Sequence, residues 1–193
     1  MIFPAPWRSP LNQALDRNPH PTARYLQLAT VSVDGRPANR TVVFRGFLKD
    51  TDQLKFVIDA RSQKANQIER QPWAEACWYF TETREQFRIA GSLTLVQADS
   101  PDLALKQARQ LSWQELSDAA RSQYAWPHPG KLRAEATAFA PPQPNPVEPL
   151  PHFCLLLLLP MQVDHLELRG EPQNRWLYNL NNDKAWSTQA INP

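Results

Sequence analysis

Short runs of apolar, β-branched and aromatic residues alternate with polar turns along this chain, a pattern that predicts mostly strands. Residues 24–33 carry Tyr25, Leu26, Leu28, Thr30, Val31 and Val33, types that suit a pleated, half-buried surface. Asp34-Gly35 is a strong hairpin signal, and the partner strand is predicted over 37–47. A third strand is predicted over 54–58, so the first three read as an antiparallel meander. Ala74 to Thr81 is an aromatic-rich strand. Glu85 to Val96 places Gln86, Arg88 and Ala90 on one face and Phe87, Ile89 and Gly91 on the other. Phe153 to Leu159 is continuously apolar, the most buried strand on this reading, and Pro160 is expected to end it. Residues 162–169 alternate again. Arg175 to Tyr178 forms a last long strand before a turn at 181–184 and Ala185-Trp186. Seven or eight sequentially connected strands tend to close into a small barrel, which removes exposed edges.

The helical signals are fewer. Residues 1–10 read as an arm anchored by Trp7, with Ser9 as N-cap and Pro10 opening a short helix that Asn18-Pro19 breaks. Ser62 is a candidate N-cap for a helix through Ala65 and Ile68 that stops before Pro72. Asp99 to Asp102 caps a helix over 103–111, and Ser112 a second over 113–121. The fold class is therefore mainly β with flanking helices. The prolines between 140 and 151 exclude a regular helix or central strand there. They make an extended connector inside one domain, so residues 1–193 are read as a single unit.

Composition narrows the function. The net charge of +2 is too small to argue for nucleic acid, and no apolar run approaches a membrane span. Cys77 and Cys154 each sit in an apolar run and read as buried, reduced thiols. Met1 leads into Pro4, Pro6 and Arg8 with no apolar signal region. A cytoplasmic protein is the expectation. Trp is abundant at 7 and Gly scarce at 5, and no Gly-rich βα turn appears, which excludes a Rossmann site.

The candidate chemistry centres on Asn39-Arg40-Thr41-Val42-Val43-Phe44-Arg45-Gly46-Phe47. Arg40 and Arg45 are an odd number of positions apart, so a flat strand puts them on opposite faces. The guanidinium fork of either suits a phosphate; the bland alternative is an edge strand with solvated arginines. At Ser62-Gln63-Lys64 a hydroxyl, free backbone N–H groups and an ammonium meet at one helix start, a second phosphate-type site. Gln86 offers an amide to a heteroaromatic ring edge. No metal cluster and no dedicated catalytic acid or base stands out. His165 lies in a strand and reads as structural, and His128 and His152 fall in proline-rich loops.

Taken in order, Arg40 to Phe47, Phe56-Val57-Ile58-Asp59, Ser62 to Ile68, Gln86 to Gly91 and Arg175 to Tyr178 resemble pyridoxamine 5'-phosphate oxidase. The resemblance is closer to the related FMN-binding proteins of cyanobacteria and plants. It implies an FMN-binding split β-barrel that forms a homodimer with FMN at the subunit interface. By that resemblance Arg40 and Lys64 hold the FMN phosphate, with Ser62 and Gln63 nearby. Thr41, Val42, Val43, Val57 and Ile58 line the flavin through backbone, Gln86 reaches it from the partner subunit, and Arg175 approaches the ring. Arg45 faces the substrate, and Arg88 and the Trp126–Gly130 loop lie on the substrate side. The departures are specific. The oxidase has an Arg-x-His pair shortly before its final Arg, whereas this chain reads Glu171-Pro172-Gln173. Glu85 precedes Gln86, Gln63 follows Ser62 and Leu166 stands where the family packs a Trp on the flavin. The Tyr and Arg that grip the substrate phosphate have no clear match, although Arg121, Ser122 and Tyr124 are near. The expected activity is an FMN-dependent oxidoreductase acting on an unknown small molecule. The alternatives are a non-catalytic flavin or tetrapyrrole binder on the same barrel, and the genuine oxidase.

Overall fold

The computed structural model describes residues 4–193; the first residues of the predicted arm lie outside that range. One eight-stranded sheet carries the fold, in the order β2-β1-β4-β5-β6-β7-β8, with β3 paired to β6 beside this path. The strands are β1 (Tyr25–Val31), β2 (Pro37–Val43), β3 (Leu54–Asp59), β4 (Trp73–Phe80), β5 (Glu85–Val96), β6 (Phe153–Glu167), β7 (Asn174–Leu180) and β8 (Trp186–Ala190). The helices are α1 (Arg8–Arg17), α2 (Gln63–Arg70), α3 (Leu103–Gln114) and α4 (Asp118–Tyr124).

The hairpin at Asp34-Gly35 forms, with Gly35 at φ +80° and Ser32 N–H donating to the Arg36 carbonyl at 2.8 Å. The meander does not. β3 pairs with β6 from Leu54↔Leu158 to Asp59↔Phe153 and joins the chain beyond β2 through the Phe47↔Leu54 bridge and the bonds around Arg45, Gly46 and Lys55. The free edges of β2 and β3 therefore leave a seam, and the barrel is split along it. β3 leaves β2 because its alternation, Leu54, Phe56 and Ile58 inward, fits the fully apolar start of β6.

β6 is one strand of 15 residues, not two. Pro160 does not end it, because a bulge accommodates it. Gly91 pairs with Pro160 and Ala90 with Gln162, leaving Met161 as the extra residue. Gly91 is required there: a Cβ would lie 2.0 Å from the Leu159 carbonyl oxygen. The first half of β6 serves β3 and the second half serves β7.

The core is aromatic. Trp7 and Trp78 are fully buried. Trp78 packs on Phe44 and Phe80, and Trp7 packs on Phe47 and Trp186. A buried ring of this size is worth about 3–5 kcal/mol against Ala. Trp7 itself is the N-cap of α1, so the helix begins at Arg8, ahead of the expected Ser9 cap. His165 is structural as read. It is buried, bonded through Nε2 to Glu85 at 2.8 Å, and stacked on Phe87 and Trp176. Burial holds its imidazole below the ordinary pKa, against the opposing pull of Glu85.

Asp102 caps α3 as expected, accepting from Ala104 and Leu105 N–H. The second cap is Ser117, not Ser112. Ser112 sits inside α3 and returns its hydroxyl to the Ala108 carbonyl, so α3 runs on to Gln114. The 140–151 connector has no regular strand or α-helix. Arg109 ties it down, donating to the Leu150 and Phe153 carbonyls at 2.8 Å each.

Candidate functional site

The seam and the start of α2 bring the first group of predicted residues together. Val42 faces inward on β2, Phe44 is buried just past its end, and Arg40 shares the strand face of Val42. Its Nη1 donates to the Leu28 carbonyl at 3.0 Å and Thr30 Oγ1 at 2.7 Å, and its Nη2 to Gln67 Oε1 at 3.0 Å. Every one of these partners is neutral. Gln67 lies three residues after Lys64 on α2, so both share the helix face turned to Arg40. Lys64 Nζ donates to Ser62 Oγ at 3.1 Å. Burial, and then the Arg40 charge, depress the Lys64 ammonium below its ordinary pKa, with Asp59 opposing. Burial likewise lowers Arg40. Among the described residues neither cation has a carboxylate in ion-pair range. Two half-buried positive charges thus repel each other at a helix N-terminus.

Ser62 is the N-cap residue of α2 but makes no side-chain cap bond. Its hydroxyl goes instead to the Asp59 carbonyl at 2.7 Å. Ala65 N–H donates to the Ser62 carbonyl at 3.1 Å, and the Gln63 and Lys64 N–H groups at the helix start are left for another acceptor. A phosphate supplies what this place lacks: negative charge for Arg40 and Lys64, and acceptors for the turn. The residues present fit the phosphate end of FMN.

Next to it opens a cleft of about 470 Å³, lined on one side by Val57, Ile58, Ser62 and Lys64 and on the other by Tyr124, Trp126 and the loop to Ala134, a size within the range of small-molecule pockets. Phe139 closes one end against Trp126, at 5.7 Å between ring centres. Val43 is half-buried, and Thr41 and Gln63 are exposed. Arg45 lies beyond the end of β2 and is exposed. Its charge acts on Tyr124, whose hydroxyl burial pushes well above the ordinary phenol range.

The second group sits elsewhere. Gln86, Arg88 and Arg175 occupy the outer face of the sheet, on β5 and β7, and none lines the cleft. Arg175 is bidentate to Asp164 at 2.9 and 2.6 Å, and Arg88 to Glu75 at 2.8 and 3.0 Å. Gln86 accepts from the Cys77 thiol at 3.8 Å. Within one chain the structure does not bring these three to Arg40 and Lys64. Arg121 spends its guanidinium on the Trp113, Gln114 and Leu116 carbonyls and on Asp118, closing the end of α3. Glu85, His165 and Glu167 place three ligand-type atoms within 4.8 Å of one another. His165 and Asn174 already take up those carboxylates, and Arg17 and Arg169 line the adjoining cavity.

Two residues escaped the sequence reading. Gln67 was legible as the i+3 neighbour of Lys64. Arg61 was legible only as a cation two residues after Asp59 in a turn, a signal too common to single out.

Comparison with known proteins bears on this arrangement directly. Residues 4–97 match the pyridoxamine 5'-phosphate oxidase, FMN-binding domain. Pyridoxine/pyridoxamine 5'-phosphate oxidase 2 of Arabidopsis thaliana is 37% identical over 194 residues, spanning 98% of each chain. The chain belongs to the pyridoxamine 5'-phosphate oxidase family. FMN is the cofactor of that family's domain. A crystal structure of a pyridoxamine 5'-phosphate oxidase-related, FMN binding protein from Nostoc punctiforme PCC 73102 is 63% identical and superposes with a TM-score of 0.97 over 100% of both chains. PhzG from Burkholderia lata 383, at 18% identity, has a TM-score of 0.80 over 100% of this chain and 98% of its own, and shares the fold. The family's split barrel is the one described here, with its seam between β2 and β3.

Proposed function

We propose that this family member is an FMN-dependent oxidoreductase whose FMN phosphate sits between Arg40, Lys64 and the first turn of α2. The observation that carries the reading is the pair of half-buried cations without a carboxylate. Bound FMN supplies the redox chemistry; the chain supplies binding, orientation and exclusion of water. Arg40 and Lys64 neutralise the phosphate, with Ser62 and Gln63 beside it. The free backbone edges at Thr41–Val43 and Val57–Ile58 offer N–H and C=O groups to a planar polar ring. Tyr124, Trp126 and the following loop form the outer wall, with Arg45 at its margin on the substrate side.

The protein acts as a homodimer. The outer sheet face carries Tyr25 and Tyr79, 47% and 42% exposed, together with half-buried Val43, Leu166 and Leu177, an apolar stripe that a second copy covers. In the dimer, Gln86 and Arg175 of one protomer reach the flavin held by its partner, which accounts for their distance from the cleft in a single chain.

Oxidation of pyridoxamine 5'-phosphate itself is the second reading, favoured by the full-length likeness to the Arabidopsis protein. Against it stand Glu171 and Gln173, which lie in the β6–β7 turn beside Arg84 and Arg169. Each charged hydrogen bond lost there is worth about 1.5–3 kcal/mol. The decisive test is the visible spectrum after FMN is added and the excess removed, followed by anaerobic titration with candidate reductants, pyridoxamine 5'-phosphate first. Retained flavin that a substrate bleaches supports the enzyme. Retained flavin that no candidate bleaches points to a binder, and no retained flavin in folded protein ends the proposal. Light scattering of the loaded protein at monomer mass removes the dimer.

A further inference from the structure

The turn between β3 and α2 carries an arginine that the cofactor reading does not use. Arg61 Nε donates to both Asp59 oxygens at 3.0 and 3.1 Å, and its Nη2 donates to Asp59 Oδ2 at 2.6 Å. The same guanidinium crosses to the far wall of the cleft. Nη2 donates to the Tyr124 carbonyl at 3.0 Å and Nη1 to the Trp126 carbonyl at 3.1 Å, more than sixty residues along the chain. Only one of its N–H groups is left without a partner, and Asp59 neutralises its charge. Arg61 is therefore poorly placed to be a ligand and well placed to be a brace.

The near end of the brace is the phosphate turn. Arg61 N–H donates to Asp59 Oδ1 at 2.8 Å, and Ser62 N–H to the Asp59 carbonyl at 3.0 Å. The Ser62 hydroxyl bonds that carbonyl too, and Lys64 bonds the Ser62 hydroxyl. Asp59 to Lys64 is thus one hydrogen-bonded piece. The far end is the last turn of α4 and the start of the Pro127–Ala134 loop. His152 meets the same Tyr124 carbonyl through Nε2. Beyond Trp126 the loop is held lightly: Lys131, Leu132 and Arg133 are exposed, and Arg133 lies 5.1 Å over the Phe139 ring.

We propose that Arg61 is a positioning residue that couples the phosphate site to the outer wall of the cleft. An anion that fixes the Asp59–Lys64 turn also fixes the Trp126–Ala134 loop, through the Arg61 guanidinium. This rests on the FMN reading above and assigns a role to a residue outside the phosphate contacts.

The test is limited trypsin cleavage at Lys131 and Arg133, with and without FMN, in wild type, Arg61→Lys, Arg61→Gln and the double variant Asp59→Asn/Arg61→Gln. The double variant avoids leaving a half-buried carboxylate unpaired, so a folded protein without the brace is available. Riboflavin, which lacks the phosphate, is run in parallel. In wild type, FMN slows cleavage of the loop by about tenfold and riboflavin does not. Arg61→Gln and the double variant keep the preference for FMN over riboflavin but lose the protection. Arg61→Lys loses most of it, since one ammonium cannot span both carbonyls and the carboxylate. Protection that persists in the folded double variant overturns the proposal. So does loss of the FMN preference on changing Arg61, which would make it a direct phosphate ligand. A wild type that binds no FMN fails earlier, at the cofactor assignment, and is distinguished by its spectrum.

Discussion

Arginines on the two faces of the sheet behave as opposites. On the outer face, Glu75, Arg88, Asp164 and Arg175 alternate in charge across four strands, and each cation meets a carboxylate. On the inner face, Arg40 hydrogen-bonds only neutral oxygens, and its charge bears on another cation, Lys64. Within one chain the outer network is satisfied without a ligand. The inner pair is an arrangement that a free protein tolerates at a cost and a bound anion relieves. The lesson is that an arginine's partners, more than its burial, show whether its charge is already answered within the chain.

Four outcomes would sharpen or break that contrast. The largest is Arg40→Glu. Losing one charge-assisted bond costs about 1.5–3 kcal/mol, and reversed charge adds repulsion, so FMN affinity falls by about 100-fold or more. Flavin-fluorescence titration measures it, and riboflavin affinity stays within about threefold. An Arg40→Glu protein that retains FMN like wild type ends the assignment of the phosphate site.

Lys64→Met comes second. It weakens FMN by about tenfold, yet the ligand-free protein melts no lower than wild type, because a repelling charge has been removed. A clear loss of apo stability would mean that Lys64 serves the fold instead.

The third is pH. The Lys64 pKa is lowered in the folded protein, so its protonated form costs stability below that depressed value. The cost is relieved as pH rises from the depressed pKa towards the ordinary lysine value. Ligand-free wild type therefore gains stability relative to Lys64→Met over that alkaline window. FMN affinity falls over the same window as the ammonium is lost. Melting curves and titrations at stepped pH read both, and parallel profiles for wild type and Lys64→Met contradict the linkage.

The smallest effect belongs to the outer face. Asp164→Asn, within a partly exposed network, lowers the melting temperature by a few degrees at most. Arg175 keeps its charge and its place at the partner's flavin, so FMN affinity stays within about threefold. An effect on FMN as large as that of Arg40→Glu would erase the distinction between the two faces.

Much of this was legible in the sequence, and the exceptions share a cause. The alternation over β5 is visible because one face is core and the other is not, and its limits, Glu85 and Val96, follow from that pattern. Arg40 and Lys64 were legible because their residue types and local settings already suit phosphate. The partner of β3 was not, since local pattern is silent on which distant strand an apolar strand will join. Pro160 misled for the opposite reason: a local rule holds in a regular ladder and lapses at a bulge, and only Gly91 on the neighbouring strand makes room for one. Ser112 and Ser117 present the same capping chemistry five residues apart, and packing of Trp113 into its own cluster selects the later one. Arg61 is invisible as a brace until Tyr124 and Trp126 are known to lie across the cleft.

The pairing of β3 with β6 also sets an order of events. Leu54 waits for Leu158, about a hundred residues later, before its ladder can form. The turn bearing Ser62 and Lys64 hangs from the end of that strand. During synthesis the phosphate turn is made early and mounted late, because closing so long a loop precedes any contact that rewards it. The segment that matches the family's FMN-binding domain ends at residue 97, well before β6 begins. On the function proposed above, a nascent chain halted there holds the residues assigned to the phosphate and lacks the strand that seats them, so cofactor capture waits for about the last fifth of the chain.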